Sequence, residues 1–124
     1  MSGLLAVYGT LKKGYANHTC VKHLPFVGKA TSVGHFTMYD GAFPVVVEEP
    51  YHRVAVELFS FEDEKDIAKA DQLENHPDWY ERKQFPFLTE DGTEVQAWMY
   101  VMPRHRWDRH KKVRTDQFNV ATWV

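Results

Sequence analysis

Five consecutive apolar residues, Leu4, Leu5, Ala6, Val7 and Tyr8, run straight into Gly9. The run is long enough for one buried strand, and the glycine ends it abruptly, so the chain leaves that strand through a loop. Gly9 can take positive φ or let the backbone approach another group closely. The amides of Gly9, Thr10 and Leu11 can then point outward together, an arrangement suited to a carboxylate or an oxyanion. The same residues also suit an ordinary turn out of a core strand.

The length of 124 residues is that of one domain, with enough chain for a single core, and 44% hydrophobic and 15% aromatic residues agree with compact folding. A formal charge of -2 gives no global electrostatic reason to expect nucleic acid or an anionic membrane as partner. Cys20 is the only cysteine, which precludes an internal disulfide and fits a reducing compartment. No stretch is long and apolar enough for a membrane span, and the N-terminal run lacks the basic leader of a signal peptide. These features describe a soluble, cytoplasmic protein.

Asn17 is placed to cap a short helix to about His23, closed by Pro25. His18, Cys20 and His23 lie close together there, without the second cysteine or paired spacing that a zinc site requires, and read as surface residues. Phe26 to Thr31, Val33 to Tyr39 and Phe43 to Glu48 read as three short strands, with a tight turn at Asp40-Gly41. Glu49-Pro50 breaks the chain, and Val54 to Phe61 alternates as a further strand.

The one longer helix is expected from Glu62 to about Asn75, entered through a capping box at Ser60 to Asp63 and stopped by Pro77. Ile67, Ala70 and Leu73 form its inward stripe. Seven residues advance a helix by about 700°, so Glu74 points within roughly 20° of Ile67 and faces the core side. A carboxylate there is costly to bury, its pKa rises, and the C-terminal end of the helix dipole pushes in the same direction. Glu74 is therefore a candidate base; a frayed last turn, or pairing with Arg82 or Lys83, is the alternative. Asp71 reads as a solvated or capping carboxylate.

Tyr80 to Leu88 and Thr93 to Val101 form a hairpin across Thr89-Glu90-Asp91-Gly92. Gln96, Trp98 and Tyr100 share the face opposite Val95, Ala97, Met99 and Val101, a face that either packs or lines a pocket. The tail from Pro103 is basic, with Arg104, Arg106, Arg109, Lys111, Lys112 and Arg114 around Trp107. It can form a solvated face over the barrel or, less in keeping with the interruptions at Asp108 and Asp116, a nucleic-acid contact.

Taken together, Val7 to Gly14 with Asn17, Phe43-Pro44-Val45-Val46, Glu57-Leu58-Phe59, Asp71-Gln72-Leu73-Glu74, Tyr80 with Arg82, and Ala97 to Tyr100 resemble the gamma-glutamylcyclotransferase-like family, particularly its gamma-glutamylamine cyclotransferase branch. The blocks occur in the family's order over Leu4 to Tyr100. The family often has Gly after the acid, where this chain has Asn75, and Gly before the Glu-Leu pair, where it has Val56. The resemblance implies an α+β fold, a small, mostly antiparallel β-barrel with flanking helices, and a cavity between the first loop and the long helix. It also implies that Tyr8, Gly9, Thr10 and Leu11, with Tyr100, bind substrate and that Glu74 is the catalytic acid/base. The implied reaction releases 5-oxoproline from a small-molecule gamma-glutamyl amine, with no metal or organic cofactor. A non-catalytic binding module on the same fold is the alternative.

Overall fold

The computed structural model describes residues 2–40, 44–74, 76, 78–103 and 111–123. Among these residues eight strands, β1 (Gly3–Val7), β2 (Phe26–Ser32), β3 (Phe36–Asp40), β4 (Val45–Phe61), β5 (Glu81–Thr89), β6 (Glu94–Val101), β7 (Lys111–Lys112) and β8 (Val120–Ala121), accompany one short α-helix, α1 (Ala68–Leu73). Strands β1, β6, β5, β2 and β4 close on themselves because β4 pairs with both β2 and β1. The result is a mixed barrel. Its pairs are antiparallel except at β1 and β6, which run parallel in the register Leu5 to Trp98 and Ala6 to Met99.

The uninterrupted apolar run of β1 has its cause in this closure. Ala6 joins Val56, Leu58, Phe87, Ala97 and Met99 in one cluster, whereas Leu5 and Val7 join Phe59, Phe61, Ile67, Ala70 and Tyr100 in another. A strand covered on both faces has no place for polar alternation. The β5–β6 hairpin turns as expected, with Gly92 at φ 86° and the Gly92 amide bonded to the Thr89 carbonyl at 3.0 Å.

Several boundaries differ from the sequence reading. The two strands expected on either side of Glu49-Pro50 are one strand, β4. Against β3 its register jumps from Thr37 opposite Val47 to Phe36 opposite His52, so residues 48–51 bulge out where Pro50 cannot donate to the ladder. Strand β3 begins only at Phe36, and the expected Asp40-Gly41 turn lies partly outside the described residues. Asn17 caps no helix: only a 3-10 turn, His18–Cys20, follows, and the Asn17 amide nitrogen Nδ2 donates to Thr10 Oγ1 at 3.0 Å instead.

The long helix is shorter and later than its periodicity suggests. Ser60 and Phe61 still belong to β4, so the capping box forms one turn on. Asp63 Oδ1 accepts from the Lys65 amide at 3.0 Å and Asp66 Oδ2 from the Asp63 amide at 3.1 Å. A 3-10 turn, Glu64–Ile67, leads into α1, and Glu74 is its C-cap. Ile67 and Ala70 are fully buried, but Leu73 is 42% exposed and leaves the inward stripe.

The last described residues wrap the barrel. Strand β7 pairs with β3 and β8 with β4, while the Trp123 ring packs against Tyr15 at a tilt of 40° and its carbonyl accepts from Lys12 Nζ at 2.5 Å. Most of the basic run, 104–110, lies outside the described residues; Lys112 Nζ sits 3.6 Å over the Tyr51 ring. Among the described residues no helix is long and apolar enough to cross a membrane.

Ile67 ties α1 to the outer face of β1, so Ile67→Ala should cost about 3 kcal/mol of unfolding free energy. Urea unfolding of the variant checks this, and a loss under about 1 kcal/mol would mean that the helix is held by something else.

Candidate active site at the barrel rim

Because β1 and β6 run parallel, their C-terminal ends emerge on the same rim. The Tyr8 hydroxyl donates to the Tyr100 carbonyl at 2.8 Å and fastens the two ends together. A cavity of about 370 Å³ opens at this rim, lined by Tyr8, Gly9, Thr10, Leu11, Tyr100 and Glu74, with Tyr80, Pro44 and Leu73 among its other walls. All six site residues expected from the sequence thus share one cavity.

The loop after β1 is rigid for local reasons. The Lys12 amide donates to the Gly9 carbonyl at 3.0 Å and the Asn17 amide to the Thr10 carbonyl at 2.9 Å. His18 Nδ1 lies 2.9 Å from the Leu11 carbonyl. The loop carbonyls are therefore engaged, whereas the amides of Gly9, Thr10 and Leu11 have no acceptor among the described residues. Of the two properties that glycine offers, Gly9 uses close approach. A Cβ there would lie 2.5 Å from Pro44 Cγ, and its φ is not positive.

Glu74 meets the cavity from the end of α1, where its amide donates to the Ala70 carbonyl at 3.0 Å. Burial pushes its carboxyl up to about 7. The cations that the sequence offers it are committed elsewhere: Arg82 pairs with Asp71 and Glu64, and Lys83 Nζ with Glu48 at 2.9 Å. Among the described residues Glu74 has no ion-pair partner.

Asp71 is not a solvated carboxylate. It holds Arg82 through Nε at 2.9 Å and Nη2 at 3.1 Å, and it accepts the Tyr100 hydroxyl at 2.5 Å. The Arg82 side chain is only 4% exposed, so this bidentate pair neutralises a charge that burial would otherwise penalise. Sequence spacing missed the pairing because Arg82 reaches α1 from β5, across the rim. His18, Cys20 and His23 are not gathered into a cluster; His23 Nε2 lies 2.7 Å from the Asp66 carbonyl. Tyr80 also went unassigned as a site residue: burial, with the nearby Glu74 charge, pushes its phenol far up.

The close approach at Gly9 gives a direct test. Gly9→Ala should displace Pro44 and lower ligand binding at this cavity at least about tenfold. Gly14→Ala, at φ 83° with open space around it, should cost only about 1 kcal/mol of stability and leave binding intact. Calorimetric titration of both variants, alongside their melting temperatures, separates the two effects.

Comparison with known proteins converges on one family. The profile described as "Gamma-glutamyl cyclotransferase, AIG2-like" matches residues 5–123. A Methanocaldococcus jannaschii protein provisionally named gamma-glutamylcyclotransferase is 38% identical over 99 residues, 78% of this chain and 82% of that protein. A provisionally named counterpart from Vibrio cholerae is 36% identical over 104 residues, 82% of this chain and 83% of that protein. The crystal structure of an AIG2-like protein from Mus musculus superposes with a TM-score of 0.74 at 23% identity, covering 99% of this chain and 96% of that one, and so shares the fold. With the profile spanning nearly the whole sequence and relatives more than 30% identical over most of both chains, the chain belongs to the AIG2-like gamma-glutamyl cyclotransferase family.

Proposed function

We propose that this chain is a cyclotransferase that releases 5-oxoproline from a gamma-glutamyl amine, with Glu74 as general acid/base and the Tyr8–Leu11 loop holding the gamma-glutamyl group. The observation that carries the proposal is Glu74 itself: a carboxyl with no ion-pair partner among the described residues, held at about 7 by burial, on the same cavity as three backbone amides that have no acceptor among those residues. A group titrating there is poised both to take and to return a proton near neutral pH.

The substrate's α-ammonium has no lone pair and must lose a proton before it can attack. Glu74 accepts that proton, and the free nitrogen adds to the side-chain amide carbonyl to close a five-membered ring. The C–N bond to the amine then breaks as Glu74 returns the proton to the departing nitrogen, and the second proton of the attacking nitrogen passes to the free amine, which leaves as its ammonium. Nucleophile and electrophile belong to one molecule, so the cavity has mainly to hold a bent conformer. The Gly9–Leu11 amides suit the substrate carboxylate or the oxyanion that develops on the carbonyl. The step is a displacement without change of oxidation state and needs neither metal nor organic cofactor. The single half-buried cysteine is in keeping with work in a reducing, cytoplasmic setting.

Chromatography of 5-oxoproline formed from gamma-glutamyl-lysine tests the role of Glu74. Wild-type protein should form product with kcat rising as pH passes through about 7, where the base becomes charged. Glu74→Gln should lose at least about a thousandfold in kcat. Undiminished product from the variant would remove Glu74 from the reaction.

The same substitution should stabilise the fold at high pH. A carboxyl whose folded pKa is raised destabilises the native state once charged, fully above about 7, and the penalty fades as pH falls toward the ordinary value of 4.5. Glu74→Gln should therefore melt higher than wild type at pH 8, by on the order of 1–3 kcal/mol in stability, with the gap gone near pH 4.5. Thermal melts across that range check the sign.

A further inference from the structure

The polarity of the cavity wall around Glu74 follows from counting hydroxyl protons. A phenol has one proton to donate and otherwise only accepts. The Tyr80 hydroxyl donates to the Pro44 carbonyl at 3.2 Å, and the Tyr100 hydroxyl to Asp71 Oδ1 at 2.5 Å. A carbonyl cannot donate, nor can a carboxylate clamped by a guanidinium, so the direction of both bonds is forced. Arg82 holds Asp71 in that state through two hydrogen bonds.

Both tyrosines line the cavity beside Glu74, and the Glu74 charge contributes to raising both phenols above their usual value, after burial and, for Tyr100, after Asp71. With their protons spent, the two hydroxyls offer a ligand lone pairs only. The Glu74 carboxylate adds a third acceptor. The donors of the cavity lie on the loop after β1, in the Gly9–Leu11 backbone and the Thr10 and Asn17 side chains, and among the described residues the cavity lining contains no lysine, arginine or histidine.

We propose that Tyr80 and Tyr100 select the amino end of the ligand, accepting hydrogen bonds from a protonated amine beside Glu74, and that Asp71 is the positioning residue that makes Tyr100 an acceptor by holding its proton. The proposal rests on the functional reading above for the site it names, but it concerns recognition rather than turnover. It also accounts for the isolation of Glu74: neither hydroxyl has a proton left with which to solvate the carboxylate. With Glu74 charged, this wall of acceptors repels anions and admits ammonium, so it orients a zwitterionic head with its carboxylate toward the loop.

The test uses two probes that release no amine: L-glutamate, and glutarate, which lacks only the α-amino group. Calorimetric titration of the wild-type protein should show L-glutamate binding at least about tenfold tighter than glutarate. Tyr80→Phe and Tyr100→Phe should each shrink that ratio, and the double variant should bring it close to one. Loosening of the cavity alone would weaken both probes equally and leave the ratio standing, which would overturn the proposal. Asp71→Asn, with a folded state verified by its melting curve, should lower the ratio as Tyr100→Phe does; an unchanged ratio would remove Asp71 from its role. Equal binding of the two probes to wild type, or no binding of either at millimolar concentration, would also overturn it. If the probes are discriminated but gamma-glutamyl-lysine yields no 5-oxoproline, the acceptor wall stands and the reaction does not.

Discussion

The parallel pairing of β1 with β6 is the constraint from which the rest of the rim follows. In an antiparallel closure the end of β1 would face the start of β6, and Gly9 and Tyr100 would sit at opposite ends of the barrel. Parallel register puts them together, and the Tyr8 hydroxyl locks them at 2.8 Å. The outer face of the same strand, through Leu5 and Val7, joins the cluster that holds Ile67 and Ala70. One strand therefore positions the loop, the neighbouring strand end and the helix that carries Glu74.

Two carboxylates three residues apart on this short segment have opposite environments. Asp71 is met by a buried guanidinium and a phenol proton; Glu74 meets neither, and burial alone sets its protonation. Groups so differently supplied do different work. The Asp71–Arg82 pair joins α1 to β5 and stabilises the rim electrostatically, and among the described residues Glu74 has no counter-ion. Glu64, more exposed, shares the load on Arg82 at 3.1 Å.

Much of this was legible in the residues. The five-residue apolar run pointed to a buried strand, and Ile67 and Ala70 face the core and Glu74 the cavity even though the α-helix itself spans only Ala68–Leu73. Phasing survived because Ile67 and Glu74 are the two caps of α1, so the stretch between them is helical. Leu73 departed because the helix ends beside the cavity, where a side chain has a void to face rather than a core. What local pattern could not express was contact across the fold. The Asp71–Arg82 pair, the four-residue excursion of β4 at 48–51 and the attachment of Trp123 to Lys12 each join positions whose neighbours in sequence say nothing about their partners. Pro50 announced an interruption, but only strand pairing on both sides of it shows that the strand resumes.

The barrel interior is solid. Phe87, Leu58, Met99, Val56 and Ala97 fill it, so the cavity that carries Glu74 lies at the seam where the strand ends meet their covering segments. A seam can widen or narrow by the travel of its cover without re-registering a single strand, and the residues that shape such a cover, Ala16, Pro44 and Leu73 here, can diverge while the barrel behind them keeps its stability. The architecture thereby separates the strands that hold the fold together from the covering segments that shape what the cavity can admit.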